Sequence, residues 1–306
     1  MHSSGTQFPC IDVIVMNTLT PSIAVVIATK GRPHVLAETL ASIAQQTLLP
    51  GQVILSVSCA DDLPVEMPTS LQVDSIVGPA GLPIQRNAAR SLLREDAEIV
   101  FLLDDDIELA ADYLERVVEV LGAHPEIGLV GGKLLSDGGV TRSEAMKILE
   151  EPVGQSRSEL FPLSALYGCN MCVRAGILRA VAFDENLRFY GWLEDVDWSV
   201  RAGRCGAIMC CPAARAVHLR VNVGRMSGYR FGYAQVMNPY YLYKKGIFPK
   251  LREVLSRHWL RSLLANLWGF VRMDREADRW GRLCGNMRAY NDVYHGRSDP
   301  KGIELI

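Results

Sequence analysis

Three consecutive aspartates, Asp104, Asp105 and Asp106, directly follow the apolar run at residues 99–103. Such a run predicts a buried strand of an α/β sheet, and ligands of these sheets bind at the carboxyl ends of strands. Neighbouring carboxylates repel one another unless solvent, a partner or a cation compensates their charge. Because Mg²⁺ and Mn²⁺ bind carboxylate oxygens together with phosphate and water, the triplet indicates a metal–diphosphate site. An acidic helix cap fits less well, since helical periodicity begins only near Asp112.

A second acidic cluster, Glu194, Asp195 and Asp197, follows a glycine and the flat apolar side chain of Trp192. Acids in a first helical turn complement the helix dipole, and Asp197 with Arg201 fits a helical i,i+4 pair. This structural explanation covers Asp197 well and the other two acids less well. Trp192 could cover a sugar ring while a carboxylate accepts a hydroxyl proton, and an acid beside an indole can have a pKa that suits a general base.

Polar and cationic residues follow another predicted strand. Thr29, Lys30 and Arg32 come after the apolar run 23–28, where backbone amides and a cation could bind a nucleotide. An ordinary strand–helix turn is the simpler explanation of this segment taken alone. Arg86 lies near the start of a predicted helix, behind a glycine-containing loop. Its guanidinium could bind a diphosphate through two hydrogen bonds, and a surface salt bridge is the alternative.

Other candidate residues carry weaker signals. Asp61 or Asp62 could accept hydrogen bonds from a base or ribose, although acids are common in turns. His218 lies among apolar residues, where a structural role is usual, but a neutral imidazole could also bind Mn²⁺. Cys169 and Cys172 have the spacing of half a zinc site, but the later cysteines lack the matching half, and buried free cysteine is common.

The segments that must position these residues alternate between strand-like and helix-like patterns from residue 23 to about 130, which predicts an α/β sheet. Residues 131–166 are less regular and suggest a substrate-covering loop. From about residue 221 the pattern changes to long helical segments rich in Arg, Tyr and Trp. The predicted strands lie at residues 23–28, 53–57, 75–77, 99–103 and 208–211.

One helical stripe of the C-terminal region is strongly apolar, and arginines at positions 257, 261 and 272 accompany it. Packing on the chain's own domain or on the partner in a homodimer is the usual role of such a stripe, and we favour it. The alternative is a peripheral contact of residues 257–272 with an anionic membrane. The stripe consists of Trp259, Leu260, Leu263, Leu264, Leu267, Trp268 and Val271.

Composition limits the classes of function that the chain can have. Its 306 residues are 49% hydrophobic and 22% charged, as expected of a globular protein. A net charge of −2 argues against a nucleic-acid partner. Residues 1–20 lack the cationic start of a signal peptide, and the sequence has no apolar stretch long enough for a transmembrane helix. We therefore expect reduced cysteines and a cytoplasmic location, peripheral on the inner face of the membrane if the stripe binds lipid.

Taken together, the motifs resemble those of family 2 glycosyltransferases in their types and order, over roughly residues 22–220. They lie at residues 23–33, 86–89, 104–106, 183–185, 194–197 and His218. The resemblance implies the A-type glycosyltransferase fold, a mixed and mostly parallel sheet flanked by helices. We accordingly divide the chain into an N-terminal extension (1–21), a catalytic domain that binds a nucleotide-sugar (22–220) and a C-terminal helical region (221–306).

The resemblance also implies roles for single residues. Asp104 would contact the ribose side of the nucleotide with Asp105 beside it, and Asp106 and His218 would hold Mn²⁺ or Mg²⁺. Asp195 would be the catalytic base, with Glu194 as its neighbour. The loop at residues 167–171, which includes Gly168 and Asn170, would lie on the acceptor side together with Trp192.

These roles predict an inverting, metal-dependent transfer of a sugar from a nucleotide-sugar to the hydroxyl of a carbohydrate or lipid-linked acceptor, in the synthesis of cell-envelope polysaccharide or another glycoconjugate. UDP is the commonest donor nucleotide, with GDP and dTDP as alternatives. A nucleotidyltransferase would also need acids around a metal but would leave residues 191–197 without a role. A non-catalytic sugar- or nucleotide-binding subunit would not need the acids intact. A dehydrogenase would need a G-x-G-x-x-G motif after the first strand, and this sequence has none there.

Overall fold

The computed structural model describes residues 21–151, 159–221, 226–274 and 277–306 of the chain. The predicted N-terminal extension lies outside these ranges except for its last residue. Within them, nine strands form a single mixed sheet. The strands are β1 (Ile23–Thr29), β2 (Gln52–Val57), β3 (Val73–Val77), β4 (Ile99–Asp104), β5 (Ile107–Leu109), β6 (Ile127–Asp137), β7 (Phe161–Pro162), β8 (Asn170–Arg174) and β9 (Ala207–His218).

The sheet has a parallel part and a mixed part, which meet at β4. Strands β3, β2, β1 and β4 are parallel neighbours in that order. Beyond them, β8 runs antiparallel to β4 and β6, β9 runs parallel to β6, and β5 closes the edge antiparallel to β9. The side chains of β1, β2 and β4 are almost all buried, because helices cover both faces of the sheet. The predicted α/β fold is confirmed.

The helices of the catalytic region follow the predicted apolar stripes. Pro33 occupies the first turn of the first helix, where its missing N–H costs nothing, and Leu36, Leu40 and Ile43 of that helix are buried against the sheet. On the opposite face the indole of Trp198 stacks on Phe183. These helices are α1 (Pro33–Ile43), α2 (Leu82–Arg90), α3 (Tyr113–Ala123), α4 (Arg142–Glu150), α5 (Ala175–Ala180) and α6 (Glu194–Ala202).

The segment at residues 131–166 is more regular than its sequence suggests. Strand β6 continues as far as Asp137, and α4 follows it with a capping box, in which Thr141 accepts a hydrogen bond from the backbone N–H of Glu144. The expectation of an irregular loop is therefore wrong for residues 131–150. Residues 152–158 of the expected covering loop lie outside the described part of the chain.

The C-terminal region is helical, as predicted, and it packs on the catalytic region. Its helices are α7 (Gly228–Lys244), α8 (Leu251–Glu253), α9 (Arg261–Val271) and α10 (Arg279–Tyr294). A π-helical stretch (Val254–Leu260) joins α8 to α9, and a 3₁₀ helix (Pro300–Leu305) follows α10. Gly232 of α7 and Gly285 of α10 allow the backbones of these two helices to approach closely, since a Cβ atom at Gly285 would lie 2.0 Å from the carbonyl oxygen of Tyr229.

The apolar stripe of this region does not pack as expected. The indole Nε1 of Trp259 donates a hydrogen bond to the carbonyl of Val236 at 2.9 Å, and Leu263 is half-buried. The remaining stripe residues are exposed, so packing on the chain's own domain is the wrong expectation for them. None of the described helices combines the length and the hydropathy that crossing a membrane requires. The exposed stripe residues are Leu260, Leu264, Leu267, Trp268 and Val271.

Candidate active site

The turn between β4 and β5 positions the three aspartates. Asp104 ends β4, Asp106 directly precedes β5, and the turn directs Asp105 into the protein interior, where it is fully buried. Strand β5 pairs with the end of β9, so that Ile107 lies opposite His218. This register brings Asp106 next to a histidine that is distant in the sequence.

Asp104, Asp106 and His218 form a candidate metal centre. Nε2 of His218 lies 3.2 Å from Oδ1 of Asp106 and 3.9 Å from Oδ2 of Asp104. One ligand atom from each of the three residues lies within 4.8 Å of the other two, and they are the only such group of acids, histidines and cysteines among the described residues. Two carboxylates and one imidazole are a donor set that a divalent cation can bind.

Asp137, at the end of β6, holds the opposite edge of the histidine ring. Its Oδ1 lies 2.8 Å from Nδ1 of His218, while its Oδ2 lies 2.7 Å from the guanidinium of Arg220 and accepts a hydrogen bond from the Tyr167 hydroxyl at 3.3 Å. Burial lowers the pKa of His218, but Asp106, Asp104 and Asp137 outweigh it and raise that pKa to about 9. A carboxylate behind a metal-binding histidine fixes the ring orientation.

Sequence patterns alone do not single out Asp137, because it lies in the segment that was expected to be irregular. One feature of the sequence could have identified it as a site residue. Like Asp104, Asp137 is an acid at the end of a largely apolar strand.

Asp105 lies on the other side of the turn and binds the loop that follows β1. It accepts a hydrogen bond from the Thr29 hydroxyl and pairs with Arg32, whose Nη2 lies 2.5 Å from Oδ1. Burial raises the pKa of Asp105 to about 7 although Arg32 opposes this effect. Nη1 of Arg32 also lies 3.3 Å from Oδ2 of Asp106. Thr29 and Arg32 therefore support the aspartate turn, whereas Lys30 is exposed to solvent.

The two acids after β2 have different environments. Asp61 is exposed, while Asp62 is buried and accepts hydrogen bonds from the backbone N–H groups of Gly31 (2.5 Å), Ser58 (2.9 Å) and Cys59 (3.1 Å). Burial favours a raised pKa for Asp62, but these bonds outweigh it and lower the pKa. Asp62 thus links the loop after β1 to the loop after β2 through hydrogen bonds. Of the two acids, Asp61 is the one whose side chain is accessible to a ligand.

Asp195, the expected base, lies in the first turn of α6. Its Oδ2 accepts a hydrogen bond from the backbone N–H of Gly168 at 2.9 Å, and burial raises its pKa despite this bond. The residues before the helix are backbone-strained, since Phe189 and Leu193 have φ angles of 57° and 71°. Such strain costs free energy and is concentrated at functional sites. Its presence before Asp195 agrees with the predicted importance of this segment.

Glu194 and Arg86 form a buried ion pair next to Asp195. Nη1 of Arg86 lies 2.5 Å from Oε1 of Glu194, and Nη2 donates to the carbonyl of Gly168 at 2.7 Å and lies 3.4 Å from Oδ1 of Asp104. Burial raises the pKa of Glu194 to about 8 although Arg86 opposes this effect. Because the guanidinium is only 2% exposed, its placement favours a supporting role over the expected diphosphate contact.

Residues 168 and 169 connect the candidate base to the candidate metal centre. The N–H of Gly168 donates to Asp195, and the carbonyl of Cys169 accepts a hydrogen bond from the N–H of Asp104 at 3.2 Å. Cys169 and Cys172 are buried free thiols, and no cysteine belongs to a candidate metal group in the described ranges, so the zinc interpretation gains no support.

Two residues expected on the acceptor side make internal contacts instead. The amide of Asn170 is buried and donates to the carbonyl of Gly132 at 3.0 Å, which joins β8 to β6. The indole of Trp192 lies edge-on against Phe231 of α7, with ring centroids 5.3 Å apart. Both side chains therefore have partners within the protein, and Gly168 is the member of the expected acceptor loop that contacts the candidate base.

Asp197 has the structural role that its spacing predicts. It binds Arg201 at 2.7 Å, and it also accepts a hydrogen bond from Nζ of Lys245 in the C-terminal region at 2.6 Å. The same lysine binds Asp184 at 2.6 Å. Asp197 and Asp184 thus fasten α7 to the catalytic region.

This fold and this site define an A-type glycosyltransferase. The model of glycosyl transferase family 2 matches residues 24–182, and the chain belongs to that family. Among solved structures, GalNAc-T7 with UDP, GalNAc and Mn²⁺ is 12% identical with a TM-score of 0.52, over 92% of this chain and 56% of that one.

TarS of S. aureus is 16% identical with a TM-score of 0.49, over 86% of this chain and 55% of that one. This chain therefore spans little more than half the length of either protein. No curated protein sequence matches the chain.

Proposed function

We propose that this glycosyltransferase is inverting and metal-dependent, and that it moves a sugar from a UDP-sugar to the hydroxyl of a carbohydrate or lipid-linked acceptor. The observation that carries the proposal is the connection of two sites through one loop. Residues 168–169 bind Asp195 on one side and the backbone of Asp104 on the other. A candidate base and a candidate metal centre are thereby held in a fixed relationship, as a displacement at one carbon atom requires.

The donor site would be built around Asp104, Asp106 and His218, which would hold the cation, with Asp137 orienting the histidine ring. A divalent cation at this position compensates the charge that develops on the departing nucleoside diphosphate. Thr29 and Arg32 would support the aspartate turn, and Lys30 and Asp61 are exposed groups available to the nucleotide. The UDP and Mn²⁺ bound by GalNAc-T7, a protein with the same fold, support UDP as donor and Mn²⁺ as cation.

On the acceptor side, Asp195 would take the proton from the attacking hydroxyl. Asp195 is half-buried, and its raised pKa suits a general base, because a base is most effective when its pKa approaches the working pH. Arg86 and Glu194 would keep this part of the site rigid. We assign the reaction to the synthesis of cell-envelope polysaccharide or another glycoconjugate.

The decisive experiment is a screen of UDP-, GDP- and dTDP-sugars for release of the nucleoside diphosphate, with Mn²⁺, with Mg²⁺ and with EDTA. We expect release from UDP-sugars with Mn²⁺ and none in EDTA. The variant Asp106→Asn should be inactive, while Asp96→Asn, at an exposed acid that precedes the start of β4, should behave like wild type. Release of pyrophosphate from nucleoside triphosphates would instead indicate a nucleotidyltransferase, and donor binding without any turnover would indicate a binding subunit.

A further inference from the structure

Helix α9 presents an apolar stripe to solvent. Five residues, four of them in α9 and Leu260 directly before it, lie on one side of this helical segment, as a period of about 3.6 residues per turn requires. Their exposed fractions are about half or more. These residues are Leu260 (52%), Leu264 (54%), Leu267 (49%), Trp268 (60%) and Val271 (66%).

The opposite side of the same helix is polar and buried. Asn266 is fully buried, and its Nδ2 donates hydrogen bonds to Oε1 of Gln235 at 2.9 Å and to Oδ1 of Asn286 at 3.0 Å. Gly269 lies so close to Arg279 that a Cβ atom there would come within 2.5 Å of its Nε. A helix on a protein surface normally buries its apolar side and exposes its polar side. In α9 this polarity is reversed.

Two further apolar side chains are exposed beside the stripe. Phe270 of α9 and Trp280 of α10 are both exposed, and their rings contact each other with centroids 5.4 Å apart. Single exposed apolar residues are normal, but a contiguous group marks a surface that binds something. Leu255 and Met273, which flank the stripe in the sequence, are exposed as well.

The charges of this segment indicate what it binds. Residues 251–273 contain one acidic residue, Glu253, and five basic residues. The guanidinium of Arg272 lies 4.5 Å from the ring of Trp268, so a cation flanks the apolar stripe. Burial and the charges of two neighbouring arginines lower the pKa of His258, which agrees with a positive local potential. The basic residues are Arg252, Arg257, His258, Arg261 and Arg272.

We propose that this face, residues 251–273, docks on an anionic lipid bilayer, with α9 lying in the plane of the interface. A reversed apolar stripe flanked by arginines has the chemistry of helices that lie in a bilayer interface, where acyl chains take the apolar residues and anionic headgroups take the guanidinium groups. A second copy of the chain fits less well, because a two-fold contact would bring this excess of arginines against itself. The proposal does not depend on the proposed reaction.

The test is flotation of the full chain with vesicles of phosphatidylcholine alone and with vesicles that also contain phosphatidylglycerol. We expect wild-type protein to float with the anionic vesicles only. Leu264→Glu should reduce the partition coefficient about 10- to 100-fold, the worth of one buried leucine. Arg261→Gln should reduce it about fivefold. The control Val65→Glu, at a fully exposed residue of the catalytic region, should bind like wild type.

Thermal melting and solution mass complete the test. Leu264→Glu should melt like wild type, because the replaced side chain is exposed in the free protein. Failure of wild-type protein to float, or equal flotation with neutral vesicles, would overturn the proposal. So would a wild-type dimer that dissociates on Leu264→Glu and does not bind vesicles, since the face would then bind a second copy. A strongly lowered melting temperature of Leu264→Glu would show that the stripe is packed.

Discussion

Oδ1 of Asp137 lies 2.8 Å from Nδ1 of His218, on the side of the imidazole ring that faces away from Asp104 and Asp106. The contact leaves Nε2 directed at those two acids, 3.2 Å from Asp106. Asp137 therefore determines which ring nitrogen faces the candidate metal centre. The structure thus adds a positioning residue to a site whose ligands are recognisable from the sequence.

We predict that Asp137→Asn weakens Mn²⁺ binding about 10- to 100-fold, the usual effect of removing a partner of a ligand histidine. Calorimetric titration of Mn²⁺ in the presence of UDP measures it. Tyr167→Phe removes a 3.3 Å hydrogen bond to the same carboxylate and a 2.9 Å hydrogen bond from Arg220, but it leaves the contact of Asp137 with His218 and should change the affinity little. Unchanged Mn²⁺ affinity in Asp137→Asn would contradict the positioning role.

Replacing Asp105 and Asp106 one at a time should separate metal binding from stability. Asp106→Asn should lose metal-dependent UDP binding and remain folded, because its carboxylate faces the candidate metal centre. Asp105→Asn should retain metal binding but lower the free energy of unfolding by about 1–3 kcal/mol, since it weakens buried bonds to Arg32 and Thr29. Calorimetry and chemical denaturation distinguish the two. Loss of metal binding in Asp105→Asn, with metal binding retained in Asp106→Asn, would mean that Asp105 is a metal ligand.

Arg86→Met tests whether this arginine binds the donor or the protein. It leaves buried Glu194 without its partner, so we expect the free energy of unfolding to fall by about 3–5 kcal/mol. Arg116→Met, at an exposed arginine with two surface partners, should lower the free energy of unfolding by less than about 1 kcal/mol. Denaturation midpoints provide the measurement. A variant with wild-type stability and lost UDP affinity would restore the diphosphate role predicted from the sequence.

Asp195→Asn should reduce turnover with a competent acceptor about 10²- to 10⁴-fold, because the amide cannot accept a proton. UDP and Mn²⁺ affinities should hardly change, since those contacts belong to Asp104, Asp106 and His218. The matched control is Asp96→Asn, at an exposed aspartate. Near wild-type turnover would move the base elsewhere, and lost nucleotide binding would make Asp195 part of the donor site.

The pH dependence of turnover should reflect the same carboxylate. Burial raises the pKa of Asp195, and only the deprotonated form can accept the hydroxyl proton. Activity should therefore be complete above this raised pKa and should fall tenfold per pH unit below it, with a midpoint above the ordinary range of an aspartate. A pH profile of kcat/KM at saturating Mn²⁺ measures the midpoint. A midpoint within the ordinary range would argue against Asp195 as the base.

The sequence by itself determined the fold class and the order of the motifs. Apolar runs such as residues 99–103 and 23–28 are local patterns, and each predicts a buried strand without knowledge of its neighbours. The acids at strand ends, Asp104 and Asp106, were recognisable for the same reason. The i,i+4 spacing of Asp197 and Arg201 likewise predicts a contact that a single helix provides.

Only the tertiary structure decided what each polar side chain contacts. Arg86, Asn170 and Trp192 have residue types that suit ligand binding, yet each is held by a partner from a distant segment: Glu194, Gly132 and Phe231. Sheet register, not local sequence, brings His218 to Asp106 and Asp137.

The apolar stripe of α9 shows the same limit. Periodicity reveals that a helix has an apolar side, but not whether that side faces the protein or the solvent. The buried bonds of Asn266 to Gln235 and Asn286 fix that choice, because they attach the polar side of the helix to α7 and α10. The apolar side is then left exposed.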